Sequence, residues 1–393
     1  MRSQPSSSSL SDALDFSNIK TSSGINERFS ELAESLLLHH NLCIEYIDNY
    51  DHDDARSSTE IFEFQLLEIE FYLYSPNVHE DPFCHGHVNQ TKAGQWYFHR
   101  AGKGKPGVQK SESETSTSTG GYRGGTRKGV DLTFGNPVVT SPFFPVSSSP
   151  IYGGILLRSM RSLDDSKKDN VVISGPSLLV DRILQLTRSE SIAQLVNHKL
   201  KGHLSAFNNS PAAGLLPASS SSNEKTVNLY FRECTSLHHR SPRTVITTIE
   251  RSPRVGLELS HSSVSPIAAD PRVSFIGKMY RYFIHPNLLK SSHRYYNLIY
   301  HLSRRDFINH LEEQGEPLAK DLMARFEKEK GTSTIISNRV ILEKYSTAFN
   351  DGYRKHDLRN FVGSSGKGVS SNPLKYLKMM GVLCRLGLLE ENS

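Results

Sequence analysis

Residues Glu63–Tyr74 read EFQLLEIEFYLY, and this stretch decides the fold. From Leu67 onward polar and apolar residues alternate with period two, which predicts a strand with one face in the core. The residues predicted to face the core are Leu67, Ile69, Phe71 and Leu73. The residues predicted on the opposite face are Glu68, Glu70, Tyr72 and Tyr74. Ionised carboxylates lose hydration beside apolar surface, so these two acids indicate either a functional face or a solvated one, and the stretch alone leaves both open.

The bulk composition indicates a folded core diluted by polar tracts. The chain has 393 residues and a formal charge of +5, with a pI near 8.8, a basic excess that permits nucleic-acid binding. Its four cysteines form no CxxC pair, which favours a reduced intracellular protein. No apolar run approaches a membrane span, and we expect no membrane association and a nuclear address in preference to a cytoplasmic one.

Strands interrupted by loops and flanked by helices predict the α+β class. We expect a disordered tail over 1–21 and one domain over 22–285, because the first segment is Ser-rich and polar. Low-complexity segments at about 101–121 and 208–223 predict mobile insertions in this domain. Short charged helices over 286–393 predict a helical extension.

Several elements can be assigned from local patterns. Apolar spacing predicts a helix over Asn26–His40, and strands are predicted over Gly94–Arg100 and Ile151–Met160. Ser174–Ser177, SGPS, predicts a helix start, because Gly175 suits a turn and Pro176 suits the first helical position. A last helix over Pro373–Leu389 carries an apolar stripe at helical spacing, with members Leu374, Leu377, Met380, Leu383 and Leu386.

Taken in order, six fragments of the chain resemble the alkyladenine (3-methyladenine) DNA glycosylase family of the Mpg type. The family strand of the form E-T-E-A-Y is matched by Glu68–Tyr72, EIEFY. The other matches are Asp81–His85 followed by Gln90-Thr91, Gly94–His99, Ile155–Ser159, Ser174–Ser177, and Ser252–Gly256 with Arg281–Phe283. The resemblance covers some 215 residues and implies an α+β domain built around a curved antiparallel sheet with a positively charged face.

The resemblance also implies a chemistry. Enzymes of this kind flip a nucleotide out of the duplex to reach its base. Glu70 matches the carboxylate that activates water for attack on the sugar C1′, and Arg158 matches an arginine near it, so these two are the catalytic candidates. No metal and no other cofactor is expected.

Further roles follow from the same resemblance. The residues expected to contact the flipped base are Tyr72, His85, Tyr97 and His99. The basic residues expected to contact the nucleic-acid backbone are Arg123, Arg127, Lys128 and Arg254. DNA or another nucleic acid is therefore the expected partner, with a protein partner possible through the C-terminal helices.

The chain departs from the family pattern in three ways. The family inserts a tyrosine into the gap left by the flipped base, and the corresponding turn here is Arg127-Lys128-Gly129, with Tyr122 or Arg123 as substitutes. The asparagine that helps the family reject guanine has no evident counterpart near Gly135. His99 replaces the second stacking tyrosine. Substrate base and strandedness are therefore left open.

Blander interpretations compete at each position. Glu70 can be a surface acid, and Arg158 can pair structurally with Glu68 or Glu70. Trp96 and Tyr97 can be core residues. The crowded set His79, Cys84, His85 and His87 lacks the separated ligand pairs typical of zinc. At the level of the whole chain, the alternative is a non-catalytic nucleic-acid-binding or scaffold module that retains the glycosylase fold.

Overall fold

The structure is a computed structural model that describes residues 9–48, 58–101, 121–136, 149–164, 171–207, 226–234, 247–262, 270–303, 339–355 and 357–389. The chain divides into two compact units. Residues 1–80 and 84–246 form what we call the N-terminal unit, and residues 81–83 and 247–393 form the C-terminal unit. The predicted insertion at about 208–223 lies outside the described residues, and so does the one at about 101–121 apart from its two end positions. Residues 304–338 of the predicted helical extension also lie outside them.

An antiparallel sheet organises the N-terminal unit. Its strands are β1 (His40–Asp48), β2 (Ser58–Ser75), β3 (His79–Glu80), β4 (Trp96–Phe98), β5 (Val130–Thr133), β6 (Tyr152–Ser162), β7 (Val172–Ser174) and β8 (Thr226–Glu233). The strand order is β4-β5-β6-β2-β1-β8, with β3 paired to β2 and β7 paired to β6. The α+β class with a large antiparallel sheet, predicted from the sequence, is confirmed.

Strand β2 lies in the middle of this sheet and contains the alternating stretch Glu63–Tyr74. It pairs with β1 along its first half and with β6 along its second half. An irregularity interrupts the β6 pairing around Glu68, where the register shifts on both sides of that residue. Ile69, Phe71 and Leu73 are buried, as the alternation predicts.

Helices cover the apolar face of the sheet. The helices of the N-terminal unit are α1 (Leu10–Ala13), α2 (Ser22–Glu34), α3 (Pro176–Leu186) and α4 (Ile192–Gln194). Helix α2 begins at a Thr21 cap and continues as a π-helical segment over Ser35–His39, so the predicted helix over Asn26–His40 is confirmed with an earlier start. The Phe29 ring on α2 stacks on Phe71, with ring centroids 4.3 Å apart. This contact joins helix and sheet in one core.

The predicted SGPS helix start also appears in the structure. Helix α3 starts at Pro176, directly after Gly175, which has φ 123°. That backbone conformation favours glycine, and the fixed φ of proline suits the first helical position. Leu179 and Ile183 on this helix are fully buried, whereas Leu178 is exposed.

The N-terminal tail differs from the expectation of disorder through residue 21. From Ser9 onward it is described, with Ser9 capping α1. Leu14 and Phe16 are buried, and the Phe16 ring lies 4.6 Å from the Phe134 ring. The Ser-rich composition of the first residues obscured a short apolar segment that has a place in the core.

Both outer strands of the sheet's main path are bonded to the same short segment, Leu204–Phe207. The Trp96 amide donates to the Leu204 carbonyl, and the Ala206 amide donates to the Gly94 carbonyl. The Phe231 amide on β8 donates to the Ala206 carbonyl over 2.8 Å. The Trp96 indole also donates to the Leu229 carbonyl on β8. Trp96 is therefore a core residue, one of the two readings that the sequence left open.

The C-terminal unit has its own elements. They are β9 (Glu250–Ser252), α5 (Pro271–Ile276), β10 (Arg281–Phe283), α6 (Arg294–Leu302), α7 (Arg339–Lys355) and α8 (Pro373–Arg385), with β9 and β10 antiparallel. The boundary expected near residue 285 differs from the division near residue 246. The reason is that Val273, Ile276 and Met279 share one apolar core with α6, α7 and α8.

Close helix packing in this unit depends on glycine. A Cβ at Gly381 on α8 would lie 2.0 Å from the Phe349 carbonyl oxygen of α7. Of the predicted stripe on the last helix, the buried members are Leu377, Met380 and Leu383. Leu374 and Leu386 are each 45% exposed. The prediction of a buried apolar stripe is therefore confirmed only for its three central residues. Among the described residues, no helix combines the length and apolar character needed to cross a membrane.

Gly381→Ala should destabilise the C-terminal unit, because the added methyl group meets backbone that cannot move without separating α7 from α8. We expect a loss of about 1–3 kcal/mol in the free energy of unfolding, measured by urea denaturation followed by circular dichroism. Leu374→Ala on the same helix is the control, and its cost should stay within about 0.5 kcal/mol because Leu374 is exposed. Equal effects of the two substitutions would contradict the packing described here.

Candidate functional site

One face of the sheet carries a row of functional side chains. Cross-strand pairing aligns Glu70 on β2 with Leu156 on β6, Leu156 with Asp131 on β5, and Asp131 with Tyr97 on β4. Directly paired residues in a sheet project to the same side. The sequence placed Glu70 and Tyr97 on separate strands, and the register brings them into one row.

A buried arginine lies between two carboxylates at the β2 end of this row. Arg158 Nε donates to Glu68 Oε1 over 3.0 Å, and Arg158 Nη1 donates to Glu70 Oε2 over 3.2 Å. The exposed fractions are 1% for Glu68, 0% for Glu70 and 5% for Arg158. The interpretation of Glu70 as a surface acid is therefore wrong, and the structural pairing of Arg158 with Glu68 and Glu70, weighed as the alternative to a catalytic role, is present.

Hydroxyl groups complete this cluster. The Tyr72 hydroxyl donates to Glu70 Oε2 over 2.8 Å, and the Ser159 hydroxyl donates to Glu68 Oε2 over 2.5 Å. Burial alone would lower the pKa of Arg158, but the carboxylates of Glu70 and Glu68 outweigh it and raise that pKa. Arg158 therefore remains charged at any working pH and keeps a positive charge beside Glu70.

The β5 and β4 end of the row holds a second polar cluster. His99 Nε2 and Asp131 Oδ1 are 2.7 Å apart, and Asp131 is 2% exposed. The Gln90 amide donates to the other Asp131 oxygen over 3.4 Å. Sequence reasoning missed Asp131 altogether; its signal was a lone acid inside the apolar strand Val130–Thr133.

Aromatic and imidazole rings surround His99. The His85 ring lies edge-on to the His99 ring at 4.4 Å and to the Tyr97 ring at 6.1 Å. His87 stacks on Tyr97 at 5.1 Å. The structure therefore brings together three of the predicted base-binding residues, His85, Tyr97 and His99. Of the four residues weighed as a zinc set, His79 contacts the Leu73 carbonyl and the Phe29 ring instead.

Burial sets the protonation of this second cluster. Loss of hydration, followed by the nearby His99, lowers the pKa of His85 to about 3. Burial likewise lowers the pKa of His87. Burial, followed by the Asp131 charge, raises the pKa of Tyr97 above its ordinary value. At neutral pH these groups are uncharged rings, which suits contact with an aromatic base.

Two glycines make room for the second cluster. A Cβ at Gly154 on β6 would lie 2.7 Å from Asp131 Oδ2 and 2.9 Å from Gln90 Nε2. A Cβ at Gly129 would lie 2.6 Å from the His99 ring. Glycine inside a strand, as at Gly154, often marks such a close approach, and a larger residue at either position would displace Asp131 or His99.

The two clusters lie on neighbouring parts of the sheet. Glu70 and Asp131 are separated by β6, and two strand spacings amount to about 10 Å. Leu156 stands between them in the row. The arrangement therefore has a carboxylate–guanidinium part and a ring part on one face of one rigid sheet.

The basic residues expected at a nucleic-acid backbone differ in their environment. Arg127 is exposed in a Gly-punctuated turn. Lys128 pairs with Asp181 on α3. Arg123 is half-buried and donates through Nε to the Arg100 carbonyl over 3.0 Å. The Tyr122 ring, weighed as a substitute wedge, is held under the Arg100 guanidinium at 4.3 Å.

Arg254 has a different place from the one expected. It belongs to the C-terminal unit, is fully buried, and donates to both carboxylate oxygens of Asp81, at 2.5 and 3.2 Å. A guanidinium enclosed in this way cannot reach an external phosphate. The sequence pattern showed a basic turn but not the acid that neutralises it 173 residues away.

Comparison of the chain with family models, with curated proteins and with solved structures gave no match. The resemblance to alkyladenine DNA glycosylases therefore remains a prediction from the sequence motifs. What the structure adds is the geometry of the two clusters.

Arg158→Gln should destabilise the N-terminal unit strongly, because it removes a buried cation that donates to two buried carboxylates. Breaking a buried ion pair in this way costs about 3–5 kcal/mol, and urea denaturation measures it. Arg161→Gln on the same strand is the control, since Arg161 is only half-buried and contacts the neutral Gln65. If Arg158→Gln lowers the free energy of unfolding no more than Arg161→Gln does, the claim that Arg158 stabilises the two buried carboxylates is contradicted.

Proposed function

We propose that the chain is a divergent DNA glycosylase-like enzyme that hydrolyses the N-glycosidic bond of a flipped, damaged purine. The observation that carries the proposal is the Glu70 carboxylate, held by Arg158 and Tyr72 on the same sheet face as the ring cluster of His85, Tyr97 and His99. In this proposal the protein acts in nuclear base excision repair.

Glu70 has the role of general base. Its carboxylate takes one proton from a water molecule whose oxygen bonds to the sugar C1′, while the C1′–N bond breaks and its electron pair leaves with the base. The base takes up a proton from solvent, and Glu70 releases its own proton to solvent, which restores the carboxylate. The carboxylate also opposes the positive charge that develops on the sugar. Because Glu70 has no exposed surface, this step requires one water to reach it past the half-buried Tyr72 ring.

The ring cluster has the role of base pocket. Stacking of a base on an aromatic ring contributes about 1–3 kcal/mol per base, and the neutral His85 imidazole can also exchange hydrogen bonds with its edge. In this proposal the spacing of about 10 Å between the clusters, from two strand spacings, separates the sugar near Glu70 from the base near His85.

The decisive experiment measures base release from single- and double-stranded oligonucleotides that carry hypoxanthine or alkylated purines. Wild-type protein should release at least one of these bases, and Glu70→Gln should reduce the rate by about 10²–10⁴-fold, the usual contribution of a general base. Glu60→Gln is the matched control, because Glu60 lies on the same strand with an exposed side chain paired to Arg188.

The base-release rates are interpreted together with the folding of each variant. Both variants should show wild-type secondary structure by circular dichroism. If folded wild-type protein releases no base from any of these substrates, the hydrolytic proposal is lost. If Glu60→Gln lowers the rate as much as Glu70→Gln does, the assignment of Glu70 is lost.

A second candidate is a non-catalytic nucleic-acid-binding module. The specific observation in its favour is the complete burial of Glu70 in an ion pair with Arg158, which is also what a purely structural network looks like. Under this alternative, wild type binds oligonucleotides without releasing a base, and Glu70→Gln leaves the affinity unchanged. The excision assay separates the two candidates.

Both candidates predict a phosphate contact at Arg127. Arg127→Ala should weaken oligonucleotide binding uniformly across sequences and reduce the slope of log affinity against log salt by about one unit. Fluorescence anisotropy over a salt series measures both effects. Arg188→Ala is the control, since it removes an equal charge that lies over the Tyr46 ring. An unchanged slope for Arg127→Ala would exclude that contact.

A further inference from the structure

We propose that His85, His99 and Asp131 form a binding site for a divalent transition-metal ion, with Zn²⁺ as the expected occupant. The ligand atoms of these three side chains all lie within 4.8 Å of one another. The inference departs from the sequence analysis, which expected no metal and considered a different set of ligands.

The donor set fits zinc. Two imidazole nitrogens and one carboxylate oxygen are ligands that suit Zn²⁺, whereas Mg²⁺ and Ca²⁺ prefer sites made of oxygen atoms. Three protein ligands leave a fourth tetrahedral position for water or a substrate atom. That combination is the one found in catalytic rather than structural zinc sites.

The distances require only a small adjustment. Bonds to Zn²⁺ of about 2.0–2.2 Å place tetrahedral ligands about 3.4 Å apart. His99 Nε2 and Asp131 Oδ1 are at 2.7 Å, so the ion would separate them slightly and replace the hydrogen bond. From the 4.8 Å upper limit of the cluster, His85 would approach by up to about 1.4 Å. Its side chain is half-buried and lies in the loop before Val88–Thr91.

The surroundings of the cluster hold the carboxylate in place. Gln90 Nε2 donates to Asp131 Oδ2, while Gln90 Oε1 of the same side chain accepts from the His87 amide over 3.2 Å. A hydrogen bond of this kind to a ligating carboxylate orients it and tunes metal affinity. Gly154 leaves the space that Asp131 and Gln90 occupy.

Burial also favours this cluster over the other histidines of the loop. Asp131 and His99 are buried, and His85 is the partly exposed member of the three. His87 is engaged otherwise, because its Nδ1 accepts from the Asn89 amide and its ring stacks on Tyr97. The site therefore consists of three residues from three separate segments of the N-terminal unit.

The test uses the full chain, freed of metal with a chelator and titrated with Zn²⁺ alone in the absence of nucleic acid. Isothermal titration and metal analysis after dialysis should give one Zn²⁺ per chain. Asp131→Asn and His85→Ala should each lower the affinity by at least about 100-fold, since removal of a ligand exceeds the 10–100-fold cost of removing a group that orients one. Absorption at the zinc edge should show two imidazole ligands.

His87→Asn is the matched control, because it removes a neighbouring histidine and keeps an acceptor for the Asn89 amide. It should bind Zn²⁺ as the wild type does. The inference is overturned if wild type takes up no stoichiometric Zn²⁺, if Asp131→Asn and His85→Ala both retain wild-type affinity while folded, or if His87→Asn loses as much affinity as they do.

The result is independent of the proposed function. Zinc binding is measured without a substrate, and base release is measured separately with the chelated and the zinc-loaded protein. Base release without zinc uptake would end this inference and leave the glycosylase proposal standing. Zinc uptake without base release would end the glycosylase proposal and leave the zinc inference standing.

Discussion

The pairing of one arginine with two buried carboxylates is the interaction on which the N-terminal unit depends. Taking a carboxylate out of water costs several kcal/mol even after relaxation, and strand β2 buries Glu68 and Glu70 together. The fork of Arg158 donates from Nε to one and from Nη1 to the other, a geometry that an ammonium group could not reproduce. The burial of Glu68 and Glu70 in β2 therefore depends on an arginine at the position of Arg158 on β6.

This pairing also fixes how the strands align. The register between β2 and β6 shifts on both sides of Glu68, and the shift places Ser159 within hydrogen-bonding distance of the same carboxylate that Arg158 contacts. Irregularities of this kind often re-aim side chains beside functional sites. Here the shift allows two consecutive residues of β6, Arg158 and Ser159, to donate to Glu68. The same alignment pairs Glu70 with Leu156 and Leu156 with Asp131.

Sequence reasoning recovered those features that depend on local patterns. The alternation in β2, the apolar spacing of α2 and the Gly-Pro start of α3 each carry their information within a few residues. Alternation shows which side of a strand a residue faces, but it does not show whether another layer covers that side, and so the burial of Glu70 was left open.

Asp131 was missed because its meaning depends on His99, which precedes it by 32 residues and meets it only through strand pairing. Arg254 was misjudged for the same reason, since Asp81 is distant in sequence. The burial of Leu14 and Phe16 was missed because the prediction for residues 1–21 was drawn from the serine-rich composition of the whole segment. Their apolar character beside α1 is a local signal that this composition masked.

The segment Leu204–Phe207 has a consequence for the behaviour of the protein in a crowded solution. A strand at the border of a sheet offers unsatisfied amide and carbonyl groups to any other polypeptide that can extend beside it. Here one stretch of four residues occupies such groups on both β4 and β8. A chain shielded in this manner resists strand exchange with its own copies, and its tendency to form fibrils is correspondingly suppressed.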